Sequence, residues 1–135
     1  IDLHIISTHH TGEQAIAGIT GGLIELGQTV TWRAKHFGIW QTLTSTITEF
    51  DRPNKFTDEM VKGAFKSFKH QHIFKEANGQ TLMTDIFTYE TPFGIAGRIF
   101  SYLVLKQYMT NLLVKRNEVI KTIAEGDEWI KVLSS

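Results

Sequence analysis

The chain has 135 residues, with 14 Lys+Arg against 14 Asp+Glu, 6 His and no cysteine, so its formal charge is +0 at pH 7. That length supports one real core, read as a domain over 1–126 with a short tail at 127–135. Balanced charge gives no global field for nucleic acid or an anionic membrane, and the lack of cysteine excludes disulfides and thiolate chemistry. Lys106 and Lys115 interrupt the longest apolar run before it can span a membrane. A reducing, cytoplasmic setting fits.

Ile1–His10 mixes Leu3, Ile5 and Ile6 with His4, His9 and His10 and reads as the end of a helix whose start lies upstream. Thr11-Gly12 breaks it, and Glu13–Thr20 is a weak strand closed by Gly21-Gly22. Leu23–Gly27 is a connection or a short strand. Thr29–Phe37 then alternates, with Val30, Trp32, Ala34 and His36 on one face and Thr31, Arg33 and Lys35 on the other. Trp40–Asp51 alternates as well, with Leu43, Ser45 and Ile47 opposed to a row of threonines. A two-residue turn at Gly38-Ile39 would pair Ala34 with Leu43, Trp32 with Ser45 and Val30 with Ile47, which puts both apolar sets on one face.

Asp51-Arg52-Pro53-Asn54 is a turn by composition, and a four-residue loop there sets Ile47 opposite Asp58 and Ser45 opposite Met60. Phe65–Glu76 leads into Asn78-Gly79, the strongest hairpin signal in the chain. Counting outward pairs Phe74 with Met83, His72 with Asp85, His70 with Phe87 and Phe68 with Tyr89. Pro92 ends the last strand. From Ile95 to Glu125, Ile99, Tyr102, Met109, Leu113, Val119, Ile120 and Ile123 recur at helical steps, and Gly126 supplies a stop. Thirty residues of helix reach about 45 Å, more than a small domain is wide, so the helix needs a concave partner. The expected fold class is α+β, a helix-grip arrangement in which a curved antiparallel sheet wraps one long C-terminal helix.

The segments Val30–Gly38, Lys66–Phe74, Thr81–Asp85 and Tyr89–Gly94, with Leu113–Asn117 in the helix, resemble a bacterial subgroup of the START-like SRPBCC superfamily. Some members of that subgroup carry the label cell division inhibitor, and some similar domains are fused to nucleotide-sugar-epimerase-like partners. The resemblance covers roughly Ile1 to Ala124. It implies a cavity between sheet and helix that takes a hydrophobic small molecule. It also implies a first strand and helices before Ile1. Without them a sheet edge lies open, and a second copy of the chain in a homodimer is a candidate to cover it.

The registers point Trp32, Ala34, His36, Leu43, Ile47, Phe56, Met60, Phe68, His70, His72, Phe74, Met83, Asp85, Phe87 and Tyr89 inward, facing Ile99, Tyr102 and Met109 of the helix. Inward apolar side chains pack together by default, so only the resemblance raises a cavity above plain core. His36, Asp58, His70, His72 and Asp85 are polar where solvent does not reach. His72 opposite Asp85 suits an imidazole–carboxylate pair, either a satisfied buried pair or an acid/base device. His70 and His72 on one strand face offer imidazoles to a metal, but no metal-site motif supports one, and no cofactor is expected. There is no nucleophile elbow and no phosphate-binding glycine loop. The leading expectation is binding of a hydrophobic or amphipathic lipid, quinone or polyketide-like molecule, with no nucleic acid and no membrane span. The alternative is a cyclase/dehydratase-type enzyme using His72, Asp85 and His36.

Overall fold

A computed structural model describes residues 11–134, with side chains to 131. The reading of Ile1–His10 as a helix end, with its three histidines, lies outside the described residues. Six strands form one antiparallel sheet in which every strand pairs with its sequence neighbour: β1 (Gln14–Gly18), β2 (Thr29–His36), β3 (Ile39–Asp51), β4 (Lys55–Lys62), β5 (Ser67–Ala77) and β6 (Gln80–Glu90). The sheet is curved and carries one long helix, the helix-grip arrangement expected from the sequence. Helical structure runs without a break through α1 (Gly94–Phe100), a π-helical turn (Ser101–Leu105) and α2 (Lys106–Glu125). Gly126 comes next with extended backbone, and the tail forms a short α3 (Glu128–Ser134).

The β5–β6 ladder has the expected register at every pair, including His72↔Asp85 and Phe68↔Tyr89. Asn78 and Gly79 both have positive φ, as a two-residue hairpin turn with right-handed strand twist requires. The β2–β3 hairpin corrects the sequence expectation. Its turn is Phe37-Gly38, not Gly38-Ile39, so Trp32 pairs with Leu43 and Val30 with Ser45. Both turn residues must take positive φ, which glycine accepts freely and which a β-branched isoleucine resists most. The slip is two residues, so every side chain keeps the face it was assigned.

At β3–β4 the loop is three residues long rather than four, with Asp51 paired to Lys55. A bulge at Thr48 absorbs the difference, and beyond it Ile47 faces Asp58 and Ser45 faces Met60 as expected. The β3–β4 register shifts again between Thr44 and Ser45, and a bulge at Ile16 bends the short edge strand β1 against β2.

The helix crosses the inner face of the sheet with its backbone held off by side chains. No described strand and helix bring Cα atoms within 8 Å of each other. Long side chains make the connection instead: Arg116 to Glu13, Tyr108 to His36, Ser101 to Tyr89 and Asn117 to Asp85. Among the described residues the buried apolar ones are Val30, Ala34, Ile47 and Phe68 from the sheet and Leu105, Ile120 and Ile123 from the helix. The π turn explains where the expected helical face fails. One added residue in a turn rotates the rest of the helix by roughly 100° relative to a plain α-helix. Ile120 and Ile123, on the face read from the sequence, are buried with Leu105, whereas Ile99 and Tyr102, expected on that same face but preceding or within the π turn, are exposed at 56% and 81%.

Candidate functional site

The site begins with strand alternation. His70 and His72 leave β5 on the same face, and their ladder partners Asp58 on β4 and Asp85 on β6 stand beside them. His70 and His72 are 4% and 3% exposed. His72 lies between two carboxylates: its Nε2 is 3.0 Å from Asp58 Oδ2 and its Nδ1 is 3.1 Å from Asp85 Oδ1. A carboxylate only accepts, so the aligned contact to Asp58 places a proton on Nε2, and the Asp85 charge near Nδ1 favours the imidazolium form. Phe56 stacks on that ring at 4.1 Å between centroids and 12° between planes.

Opposing effects set the proton affinities here. Burial works against a charged His72, but the hydrogen bond to Asp58 and the adjacent Asp85 carboxylate outweigh it and raise the pKa above 6.5. For His70 burial wins, and with the neighbouring His72 charge it outweighs Asp85, so the pKa falls. Burial also works to raise Asp85. The two imidazoles and the Asn117 amide hold its carboxyl well below the usual carboxylate range nonetheless. Two imidazoles with opposed shifts in proton affinity thus stand side by side, with ring centroids 3.9 Å apart.

Asp85 is the junction of the cluster. Asn117 donates its amide to Oδ2, while Oδ1 lies 3.1 Å from His72 Nδ1 and 3.3 Å from His70 Nε2. Both latter approaches are off-line, so Asp85 Oδ1 and His70 Nε2 are buried without a well-aligned hydrogen bond among the described residues. Donor atoms of Asp58, His70 and His72 lie within 4.8 Å of one another, close enough to consider a cation. Such binding would require His72 to give up a ring proton that a carboxylate now stabilises.

Asp85 and Asn117 also face a cleft of about 400 Å³ between β6 and α2. Phe87 and Tyr89 extend its strand side. On the helix side stand Met109, Leu113 and Val114, with Lys106 and Thr110 among them. Of the residues singled out from sequence, the structure places Asp85, Phe87, Tyr89 and Met109 on this cleft. His70, His72 and Phe68 are buried in the sheet face beside it, and Trp32, His36, Leu43, Phe56, Met60, Phe74 and Met83 are half-buried on neighbouring strands. Tyr102 points to solvent.

Sequence reasoning passed over Lys106, Thr110 and Asn117 as site residues. Steps of three, four and eight from Met109 reach Lys106, Leu113 and Asn117, so the helical period contained the signal. It also passed over Tyr108, whose hydroxyl is 2.6 Å from His36 Nδ1 and whose partial burial raises its phenol pKa.

The sheet, the stand-off helix and the polar cluster at the cleft's end define a helix-grip protein. Solved structures share this fold. The Thermus thermophilus protein TTHA0849 superposes with a TM-score of 0.61 at 16% identity, over 93% of this chain and 91% of that one. Major latex-like protein 151 of Panax ginseng gives 0.57 at 17% identity, over 85% and 74%. Ara h 8.0201 gives 0.56 at 11% identity, over 90% and 89%. Identities this low carry the fold alone. No protein-family model and no curated protein sequence matches the chain.

Proposed function

We propose that this START-like domain binds a hydrophobic or amphipathic small molecule in the cleft between β6 and α2. The observation that carries the reading is the separation of helix and sheet, which leaves a cleft of about 400 Å³ walled by Phe87, Tyr89, Met109, Leu113 and Val114. A cavity of that size with mostly apolar walls and a few convergent polar groups suits a small ligand. The polar end selects its orientation: Asp85 Oδ1 can accept, and among the described residues neither it nor His70 Nε2 has a well-aligned partner. A ligand hydroxyl reaching this point gains an acceptor already freed from water.

The test is native mass spectrometry of gently purified protein, with solvent extraction, followed by uptake assays with lipids, quinones and polyketide-like compounds. Val114→Trp, which pushes an indole into the cleft, should abolish uptake and leave thermal stability within about 1 kcal/mol of wild type. Saturable uptake unchanged in Val114→Trp would place the ligand elsewhere and reject this site.

A second reading rests on the two imidazoles with opposed proton affinities. Neighbouring titratable groups driven apart in this way can divide acid and base roles. On that reading His72 and Asp85 move protons on a bound ligand in a cyclase- or dehydratase-type reaction. His72→Ala that keeps ligand uptake and loses turnover supports it, and equal loss of both returns His72 to a binding role.

A further inference from the structure

The net charge of zero conceals a local imbalance. From Thr91 to Asn117 the sequence contains no Asp or Glu, while Arg98, Lys106, Lys115 and Arg116 fall within the same stretch. Arg116 is committed to Glu13 across the fold, and Glu90, the acidic residue just before the stretch, has Lys66 within 3.8 Å. The front of the helix is therefore basic with no acid close in sequence to neutralise it.

The same front carries apolar side chains into water. Ile95, Ile99, Tyr102 and Leu103 are 74%, 56%, 81% and 69% exposed, and Phe93 at the helix start is 87% exposed. Their spacing from Ile95 is i+4, i+7 and i+8, a single stripe of the kind that ordinarily faces a core. It lies across the helix from Gly97 and Leu105, the buried residues of this stretch. Arg98 and Lys106 sit along one margin of the stripe.

We infer that this face docks on an anionic lipid surface. Aliphatic and aromatic side chains bordered by cations, on a helix too short and too polar to span, lie in the plane of a membrane with their apolar face in the headgroup boundary. Among the described residues no helix is long and apolar enough to cross one. Charge decides against a second copy as the occupant. An isologous pair of these faces would bring Arg98 and Lys106 of both copies into one interface, with no Asp or Glu between Thr91 and Asn117 to answer them, whereas an anionic surface answers both. Lys106 also borders the cleft, so docking brings the cleft's helix wall to the bilayer, from which an apolar ligand can enter. The docking itself stands without the ligand reading.

Vesicle co-flotation tests the proposal, using phosphatidylcholine vesicles with and without 30% (about one lipid in three) phosphatidylglycerol, with size-exclusion light scattering alongside. Two exposed-site double variants, Ile95→Ser/Leu103→Ser and Arg98→Glu/Lys106→Glu, leave the buried residues untouched. Wild type should float with the anionic vesicles and not with the neutral ones. Each double variant should lose about tenfold or more in vesicle affinity while keeping wild-type circular dichroism and melting. Absence of flotation with anionic vesicles, or flotation unchanged in both variants, overturns the inference. A dimer that either variant dissociates, without vesicle binding, overturns it as well and assigns the face to self-association.

Discussion

Asp85→Asn isolates the junction of the buried cluster. The replacement keeps the shape of the side chain but removes the charge that faces two imidazoles at 3.1 and 3.3 Å, and it turns an amide toward the Asn117 amide that now donates to it. Removing one member of a buried ion pair costs about 3–5 kcal/mol; because Asp58 still holds the other nitrogen of His72, the lower figure applies. With an unfolding entropy of roughly 0.28 kcal/mol/K for a chain of this length, about 3 kcal/mol lowers the melting temperature by about 10 °C. The loss depends on pH. His72 has a folded pKa raised above 6.5, so its pairing stabilises the fold fully below pH 6.5 and fades as pH rises through the folded value. The deficit of the variant should be largest near pH 6 (about half a unit below the unfolded pKa) and should narrow toward higher pH. Urea denaturation from pH 6 to 9 (roughly the span over which a raised imidazole titrates) measures it, and histidine NMR titration follows His72 itself. A His72 titration curve identical in wild type and Asp85→Asn, or a deficit that does not change with pH, would refute the coupling argued from these distances.

Tyr108→Phe removes the hydroxyl that meets His36 Nδ1 at 2.6 Å, and should cost about 1 kcal/mol, seen as a melting shift of about 4 °C. Arg116→Ala leaves Glu13, 7% exposed, without its guanidinium partner at 2.6 Å and should cost about 3 kcal/mol. Adding Glu13→Gln should recover part of that loss in a double-mutant cycle, and additive losses would show that the pair is not coupled. Gly97→Ala drives a methyl group toward the hydroxyl of Thr91, which can rotate, and into the backbone carbonyl of Pro92, which cannot step aside without moving the start of the helix. It should destabilise by about 1–3 kcal/mol in chemical denaturation, and a neutral outcome would mean that the Pro92 turn is looser than its geometry.

Where a turn residue dictated the register, the sequence was sufficient. Asn78-Gly79 placed His72 opposite Asp85 without ambiguity, because only one two-residue choice there puts conformationally tolerant residues at both positive-φ positions. At β2–β3 two adjacent choices both contained Gly38, and what separates them is the steric preference of Phe37 over Ile39 for the other left-handed position. The inward faces survived the error because strand parity is unchanged by a slip of two. In the helix, no pattern of apolar residues announces an extra residue in a turn, so the phase was read correctly at Met109 and Leu113 and wrongly at Ile99 and Tyr102. Asn117, Tyr108 and Arg116 stayed hidden for a different reason. Each finds a partner tens of residues away, on β6, on β2 and before β1, and such meetings depend on how far the helix stands from the sheet.

The π turn at Ser101–Leu105 makes chain length there a determinant in its own right. Deleting any one residue of the five would restore ordinary helical spacing and turn the front of the helix by roughly 100° against its rear. The Ile95 stripe would swing away from its present direction while Met109, Leu113 and Asn117 kept theirs. Two surfaces that share one helix are thus oriented independently of each other, and the phase between them is set by a residue count and not by any side chain.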